Sequence, residues 1–466
     1  MFFKPYYLGC LSHASYLIGG SSGKAVVIDP RRDVEEYLRD AQEAGYQISH
    51  VIETHLHADF VSGHLELSRR TGATIVLGSR SDALFPFLAV KDGDTLELGD
   101  VRLEFLETPG HTPEGISIVA YSGADEEPSK VFTGDTLFIG DVGRPDLTGS
   151  KGCTAERMAG MMFDSLQDKL LTLSDNAEVW PAHGAGSACG RALSDERVST
   201  IGREKRFNPA LKSVMEGDKE GFIEYATSGL SEAPAYFFHD VMQNKTGAKS
   251  MEEIFATAKP LKPAEVEALA EEGVLTLDTR STGAFAGGHA LGSLHIQLDG
   301  RFAPWAGEVI RPNAPIVVIS EPGREPEAIT RLARVGYENI MGWLEGGIEA
   351  WKVSGGETQS FQLIEAEAYL SATKRQGSFP TLDVRSPEEY AISHPANAIN
   401  IPITQLEARI GEVPESPLYI LCGTGYRASI AASLLQRKGW GDPLVVEGGW
   451  SACQSCSAKE AAYATA

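Results

Sequence analysis

Residues 49–60 read SHVIETHLHADF: a strand-like run that passes straight into His55, His57 and Asp59. The β-branched, alternating character of the first half predicts a strand, and the chemistry sits where that strand ends. The same construction recurs three times, with VRLEFLETPG leading to His111, KVFTG to Asp135 and AEVWPA to His183. In an α/β sheet the loops after the strand C-termini converge on one rim, so side chains delivered by four strand ends can meet at one point. His50, His64 and His239 fall outside this construction and read as ordinary surface or core histidines.

Working outward, AVVIDP and TIVLG add two more strands, and Val34, Tyr37, Leu38 and Ala41 fall at i, i+3, i+4 and i+7. That spacing predicts an amphipathic helix with Asp33 as N-cap and Gly45 as its stop. From Phe207 to Ala258 the chain reads as mostly helical, which puts the end of a first α/β domain, residues 1–250, near residues 245–258. At about 150 residues per domain, 466 residues predict three domains, and 42% hydrophobic with 23% charged residues is ordinary globular composition. Lys and Arg number 41 against 64 Asp and Glu, so the formal charge of −23 excludes a nucleic-acid or anionic-membrane binder. The opening MFFKPYYLGC lacks an apolar leader core and a small-residue cleavage site, and no later stretch reaches about 18 uncharged apolar residues. A cytoplasmic protein is the expectation. Six cysteines are too sparse for a disulfide framework in a chain this long.

The second half repeats itself. LDTRSTGAFAGGHALGSLHI from Leu277 aligns with LDVRSPEEYAISHPANAINI from Leu382 at an offset of 105, and EGGIEAW with EGGWSAC at an offset of 102. Two modules of about 100 residues follow, 259–356 and 358–456, each predicted as an α/β layer on a parallel sheet; residues 457–466 read as an Ala-rich, frayed tail. In the second module Cys422-Gly-Thr-Gly-Tyr-Arg427 sits between an apolar strand and a good helix. Backbone N–H groups of such a loop can wrap a sulfur at a helix N-terminus and favour its anionic form, with Arg427 adding positive charge. In the first module Ser320 and Glu325 stand at those positions, leaving neither nucleophile nor cation. Cys453 and Cys456 form one CxxC, half of a zinc site, and Cys10 and Cys153 carry no local signal.

The HLHADF, GHT, GD and AHG segments resemble the metallo-β-lactamase superfamily over residues 1 to about 200, which implies an αββα fold. One position departs from its HxHxDH signature: the last His is Phe60. In the superfamily's two-metal hydrolases that His serves the second metal with the counterparts of Asp59 and His183, so its loss argues for a single metal. The stretch from Gly134 to Leu147 resembles persulfide dioxygenases, which implies one Fe(II) per chain held by His55, His111 and Asp135. Two imidazoles and one carboxylate with open positions is also the ligand set of non-heme Fe(II) oxygenases. His57, Asp59 and His183 would then orient the ligands, with His57 as a possible fourth ligand. Arg144 and Asp146 match the family's Gly-Arg-x-Asp segment, as a substrate contact or as a brace, and Cys189 is a candidate for persulfide handling in the same pocket.

Residues 358–453 resemble the rhodanese sulfurtransferases, and the six-residue loop is the length that suits sulfur transfer. The first module resembles an inactive rhodanese, for which a docking or spacer role is expected. The whole order resembles persulfide dioxygenase–sulfurtransferase fusions of bacterial sulfide detoxification. The resemblance implies oxidation of a low-molecular-weight thiol persulfide (glutathione, coenzyme A or bacillithiol as carrier) by O2 to sulfite, with Cys422 exchanging sulfur with sulfite to give thiosulfate. An even-numbered homo-oligomer is the base-rate expectation. Two rival readings remain: a zinc thioester hydrolase resembling glyoxalase II, and a non-catalytic sulfur carrier or sensor.

Overall fold

The computed structural model describes residues 1–464 apart from 124, 126, 148–152, 192, 231, 376–378 and 416; beyond residue 457 only the backbone is described. Two compact units emerge, one of residues 1–251 with 332–336 and one of residues 252–331 with 337–466.

The first unit is built on two six-stranded sheets. One runs in the order β1 (Phe2–Leu8), β2 (His13–Gly19), β3 (Lys24–Ile28), β4 (Gln47–Ile52), β5 (Thr74–Gly78), β6 (Leu88–Val90). The other contains β7 (Thr95–Glu97), β8 (Val101–Glu107), β9 (Ile116–Ser122), β10 (Lys130–Gly134), β11 (Glu178–Pro181) and β12 (Ser199–Thr200), in the order β12-β11-β10-β9-β8-β7. Period-two alternation turns Val101, Leu103 and Phe105 of β8 inward, where they meet Tyr16, Ile28 and Ile52 from the facing sheet. Helices Glu35–Glu43 and His64–Thr71 contribute Tyr37, Ala41 and Leu67 to the outer side of the first sheet. Helix Ala155–Asp168, capped by the Thr154 side chain, contributes Met162, Phe163 and Leu166 to the outer side of the second. The result is the expected αββα layering.

The helix expected from Asp33 starts one residue later. Val34 is the N-cap and no side chain caps it, while the Asp33 carboxylate lies 3.3 Å from Arg31. Gly45, at φ +78°, ends it as expected. After β12 the chain runs through five short helices, Ile201–Phe207, Leu211–Glu216, Lys219–Thr227, Phe237–Thr246 and Met251–Thr257.

In the second unit the repeat appears as two parallel five-stranded sheets of the same strand order. The first is Lys259–Leu261, Ile340–Leu344, Ile316–Ile319, Leu275–Asp278, Leu294–His295; the second is Gln362–Ile364, Pro443–Val446, Leu418–Leu421, Thr381–Asp383, Ala398–Asn400. Equivalent ion pairs pin equivalent turns: Arg280 Nη2 to Asp278 and Arg385 Nη2 to Asp383 are both 2.6 Å. Residues 457–464, expected as a frayed tail, continue the helix Gly449–Ala464, and the last two residues lie outside the described ones.

The two copies meet along helix Tyr426–Arg437. His295 at the end of its strand donates its backbone N–H to Ser433 Oγ at 3.0 Å, and its ring is stacked on Phe285 with centroids 4.4 Å apart. Its Nε2 carries the proton, because the Arg280 carbonyl 2.9 Å away can only accept. Burial pushes His295 down from 6.5 to about 4. The unfolded chain therefore takes up a proton that the folded chain refuses, and stability is lost as pH falls from 6.5 towards 4. Chemical denaturation should show the transition of the second unit at lower denaturant near pH 5 than near pH 7.5. In His295→Gln, the part of that difference due to this ring, on the order of 1–3 kcal/mol, should disappear.

Candidate metal centre and cysteine loop

His55 follows β4, His111 follows β8, Asp135 follows β10 and His183 follows β11, so the rim geometry expected from four strand ends is realised. His111 Nδ1 donates to the Arg144 carbonyl at 2.8 Å and His55 Nδ1 lies 3.0 Å from Thr54 Oγ1. Both rings are thereby turned so that Nε2 faces Asp135 Oδ2, at 3.5 Å from His111 and 3.9 Å from His55. One donor atom from each of the three lies within 4.8 Å of the others. His55 Nε2 is buried with no hydrogen-bond partner among the described residues, the signature of an atom shaped for something other than protein. Burial pushes both His55 and His111 down, which keeps their lone pairs free. Burial alone would raise Asp135, but the charge and hydrogen bond of His183, with His55 and His111 behind it, hold its carboxyl well below the usual range. Two neutral imidazoles and one ionised carboxylate, dry and convergent, fit a divalent transition metal.

The GDVGR segment explains itself at Gly143. A Cβ there would fall 1.9 Å from the Asp135 carbonyl oxygen, so only glycine lets this loop close over the cluster.

A second group lies alongside. His183 bridges two carboxylates, Nδ1 to Asp135 Oδ1 at 2.8 Å and Nε2 to Asp59 Oδ2 at 2.9 Å, and although burial opposes it their charges raise its pKa well above 6.5. Cys189 joins Asp59 and His183 in a buried set with donor atoms within 4.8 Å. Burial, then the charges of Asp59 and Asp135, push its thiol well up, so it is held protonated. His57 points elsewhere: its Nε2 lies 3.2 Å from Asp29 Oδ1 and 3.3 Å from Glu53 Oε2. Against the cost of burial, these two carboxylates raise it to about 10, and the three groups form a further buried set with donor atoms within 4.8 Å. The Phe60 ring, fully buried, packs 4.4 Å from the His57 ring and 4.1 Å from that of His13.

Arg144 and Asp146 face each other in a two-pronged ion pair, at 2.7 and 2.8 Å, and a further Arg144 N–H reaches the Ala188 carbonyl at 3.3 Å. The same residue's backbone amide takes the Cys189 carbonyl at 3.0 Å while its own carbonyl holds His111. Asp29, Glu53 and His13 were not singled out in the sequence. The first two obey the strand-end rule that exposed the others: Asp29 closes β3, and its carboxylate accepts from the Thr54 amide at 2.7 Å and hydroxyl at 2.8 Å.

In the second unit, Cys422 follows the strand Leu418–Leu421 and is buried, with Gly425 N–H donating to its Sγ at 3.1 Å. Gly425, at φ +94°, turns the loop into helix Tyr426–Arg437. The EGGW turn is locked to this loop: Trp450 N–H donates to the Cys422 carbonyl at 2.7 Å and Ser451 N–H to that of Gly423 at 3.1 Å. Gly449 makes that approach possible, since a Cβ there would fall 2.3 Å from the Cys422 oxygen. Arg427 is held by Glu389, Nη1 to Oε2 at 2.6 Å and Nη2 to Oε1 at 2.7 Å. In the first copy Ser320 is buried 2.6 Å from Thr279 Oγ1. Cys453 packs into the core with Tyr369 and Tyr419, and burial pushes it up to about 11.

No described helix is long and apolar enough to cross a membrane. The family model of the metallo-β-lactamase superfamily matches residues 8–183, and that of the rhodanese-like domain matches 262–354 and 365–456. Mitochondrial persulfide dioxygenase ETHE1 of Homo sapiens is 34% identical over 207 residues, 43% of this chain and 72% of the relative. Hydroxyacylglutathione hydrolase GloC of Haemophilus influenzae is 28% identical over 219 residues, 42% of this chain and 92% of the relative. A solved structure described as a metallo-β-lactamase from Staphylococcus aureus superimposes with a TM-score of 0.65 at 34% identity, covering 74% of this chain and 98% of that one. The chain belongs to the metallo-β-lactamase superfamily, as a relative of the ETHE1 persulfide dioxygenases that carries two rhodanese-like domains.

Proposed function

We propose that the first domain is a persulfide dioxygenase holding one Fe(II) on His55, His111 and Asp135, and that Cys422 moves sulfane sulfur between sulfite and thiosulfate. The observation that carries this reading is the buried triad of two imidazoles and one carboxylate, together with a phenyl ring at Phe60, packed on His13 and His57, where a two-metal hydrolase needs a further His. The reaction balances as RSSH + O2 + H2O → RSH + SO3²⁻ + 2H⁺, the outer sulfur of the persulfide being oxidised and dioxygen reduced. A ferrous ion bound there supplies the one-electron partner for dioxygen and an attachment point for a thiolate-like sulfur.

The chain's own residues supply the setting. The Arg144 carbonyl fixes the His111 tautomer, and the Arg144–Asp146 pair fixes Arg144. His183 keeps Asp135 ionised, so the triad is ready to ligate without losing a proton. A small hollow lined by Thr54, His55, Thr108, His111, Thr112 and Asp135 lies beside the donors. Asp29 and Glu53 face the Nε2 of His57, whose ring lies 4.2 Å from that of His55.

At the second site a Cys422 thiolate attacks the outer sulfur of thiosulfate; the S–S bond breaks and its electron pair leaves with sulfite. Cys422 then carries a persulfide, stabilised by the loop's N–H groups, and the reverse step uses sulfite as acceptor. The carrier thiol is of the glutathione, coenzyme A or bacillithiol class, and the setting is cytoplasmic.

A second reading, a two-metal thioester hydrolase, is favoured by the Asp59, His183 and Cys189 set and by the likeness to GloC. Metal analysis of anaerobically purified protein decides between them: about one iron per chain and O2 uptake on adding glutathione persulfide are expected, whereas two zincs without uptake would sink the dioxygenase. Replacing His111 by Ala should abolish uptake and weaken metal binding beyond the roughly 10–100-fold typical of outer-shell changes. Cys422→Ser should eliminate thiosulfate:cyanide sulfur transfer while leaving persulfide-dependent O2 uptake intact, and loss of both together would contradict two separate sites.

A further inference from the structure

The repeat provides an internal control on what the Cys422 loop needs for its chemistry as opposed to its fold. Position 389 in the second copy corresponds to 284 in the first, as backbone contacts bear out: Arg385 Nη1 reaches the Glu389 carbonyl at 3.4 Å and Arg280 Nη1 the Ala284 carbonyl at 3.5 Å. The first copy has Ser320 for Cys422, Glu325 for Arg427 and Ala284 for Glu389, yet builds the same five-stranded sheet. Nucleophile, guanidinium and its carboxylate partner are absent together, so the Glu389–Arg427 pair is no requirement of the fold. Glu389 has one local task, accepting from the Ser386 amide at 3.1 Å, and in the first copy Glu321 does this for Ser281 at 2.9 Å. Its other task, gripping Arg427 through both carboxylate oxygens, has no counterpart there.

Arg427 lies on the first turn of helix Tyr426–Arg437, and a Cβ on Gly423, the residue after the nucleophile, would sit 3.3 Å from its Nη2. Its guanidinium is therefore above the sulfur loop. On another side the Trp305 ring of the first copy, centroid 5.8 Å from Arg427 Cζ, packs against it, and Tyr426 next in sequence donates its hydroxyl to the Gln297 carbonyl of that copy at 2.6 Å. A guanidinium offers five N–H donors, and a two-pronged carboxylate engages one on each terminal nitrogen, leaving three. Such a clamp fixes the direction of a long, flexible cation without exhausting its capacity for an anion.

We propose that Glu389 and Trp305 are positioning residues that hold Arg427 in the orientation in which it receives anionic sulfur species, thiosulfate as donor and sulfite as acceptor, so that the first copy contributes a side chain to the site of the second. This rests on the sulfurtransferase reading of Cys422. The first copy, expected to be a spacer or docking module, is on this account part of the anion site.

Steady-state thiosulfate:cyanide kinetics of the full chain tests it. In that assay the Cys422 thiolate takes the outer sulfur of thiosulfate and releases sulfite, and cyanide then removes that sulfur as thiocyanate, restoring the thiolate. Glu389→Ala should raise KM for thiosulfate about five- to tenfold with kcat changed less than about twofold, the pattern of lost binding rather than lost chemistry. Glu389→Gln, which keeps one acceptor oxygen, should recover part of that loss. Trp305→Ala should raise KM about threefold, and the double variant should raise it by less than the product of the singles, because both act on one guanidinium. Iodoacetamide alkylation of Cys422 should proceed in every variant, showing the loop intact. Unchanged KM in Glu389→Ala and Trp305→Ala, or kcat and thermal stability falling together, would overturn the inference alone. A wild-type chain whose Cys422 is alkylated but turns over no thiosulfate would overturn the sulfurtransferase reading and this inference with it.

Discussion

The Asp135 carboxylate is the point on which the first domain turns. Its Oδ1 is 2.8 Å from the protonated His183 ring and its Oδ2 faces the unprotonated nitrogens of His55 and His111. In a buried site such a charge survives only because opposite charge is supplied on one side. His183 in turn needs Asp59, and His57 needs Asp29 and Glu53, so a chain of alternating charges runs through the strand ends behind the donors. The two sheets exist, in functional terms, to bring these residues from β3, β4, β8, β10 and β11 to one rim.

That network separates two kinds of histidine by environment alone. His55 and His111 see a carboxylate at more than 3.4 Å and hydrogen bonds that occupy Nδ1, and burial leaves them neutral. His57 and His183 each lie between two carboxylates within 3.3 Å, whose charges raise both against the cost of burial. The HLHAD segment therefore places two histidines of different environment two residues apart, a distinction that its spelling does not reveal.

Much of this architecture was legible in the sequence because it is carried by local pattern. Strand runs that stop at a His or Asp announce the rim, and the internal repeat announces the paired sheets of the second unit. The opening strands β1 and β2 are less legible, since MFFKPYYL mixes charge, proline and aromatics and HASYLIG interrupts its alternation. The protonation of Cys189 and the grip of Glu389 on Arg427 depend on partners 38 to 130 residues away, which no window along the chain contains. The N-cap of helix Glu35–Glu43 slipped by one residue because the Asp33 carboxylate is gripped by Arg334 at 2.7 Å through both oxygens, with Arg31 at 3.3 Å, instead of capping the helix.

The lock between the EGGW turn and the cysteine loop bears on how sulfur travels. With the carbonyls of Cys422 and Gly423 bonded to Trp450 and Ser451, and no space for a Cβ at Gly449, the loop and the start of the last helix form one rigid body. A persulfide built on that body has no swinging arm. It would differ from carriers that ferry a group on a long tether: on the sulfurtransferase reading proposed above, sulfur would reach and leave Cys422 on diffusing molecules such as thiosulfate and sulfite, and their local concentration would govern its rate.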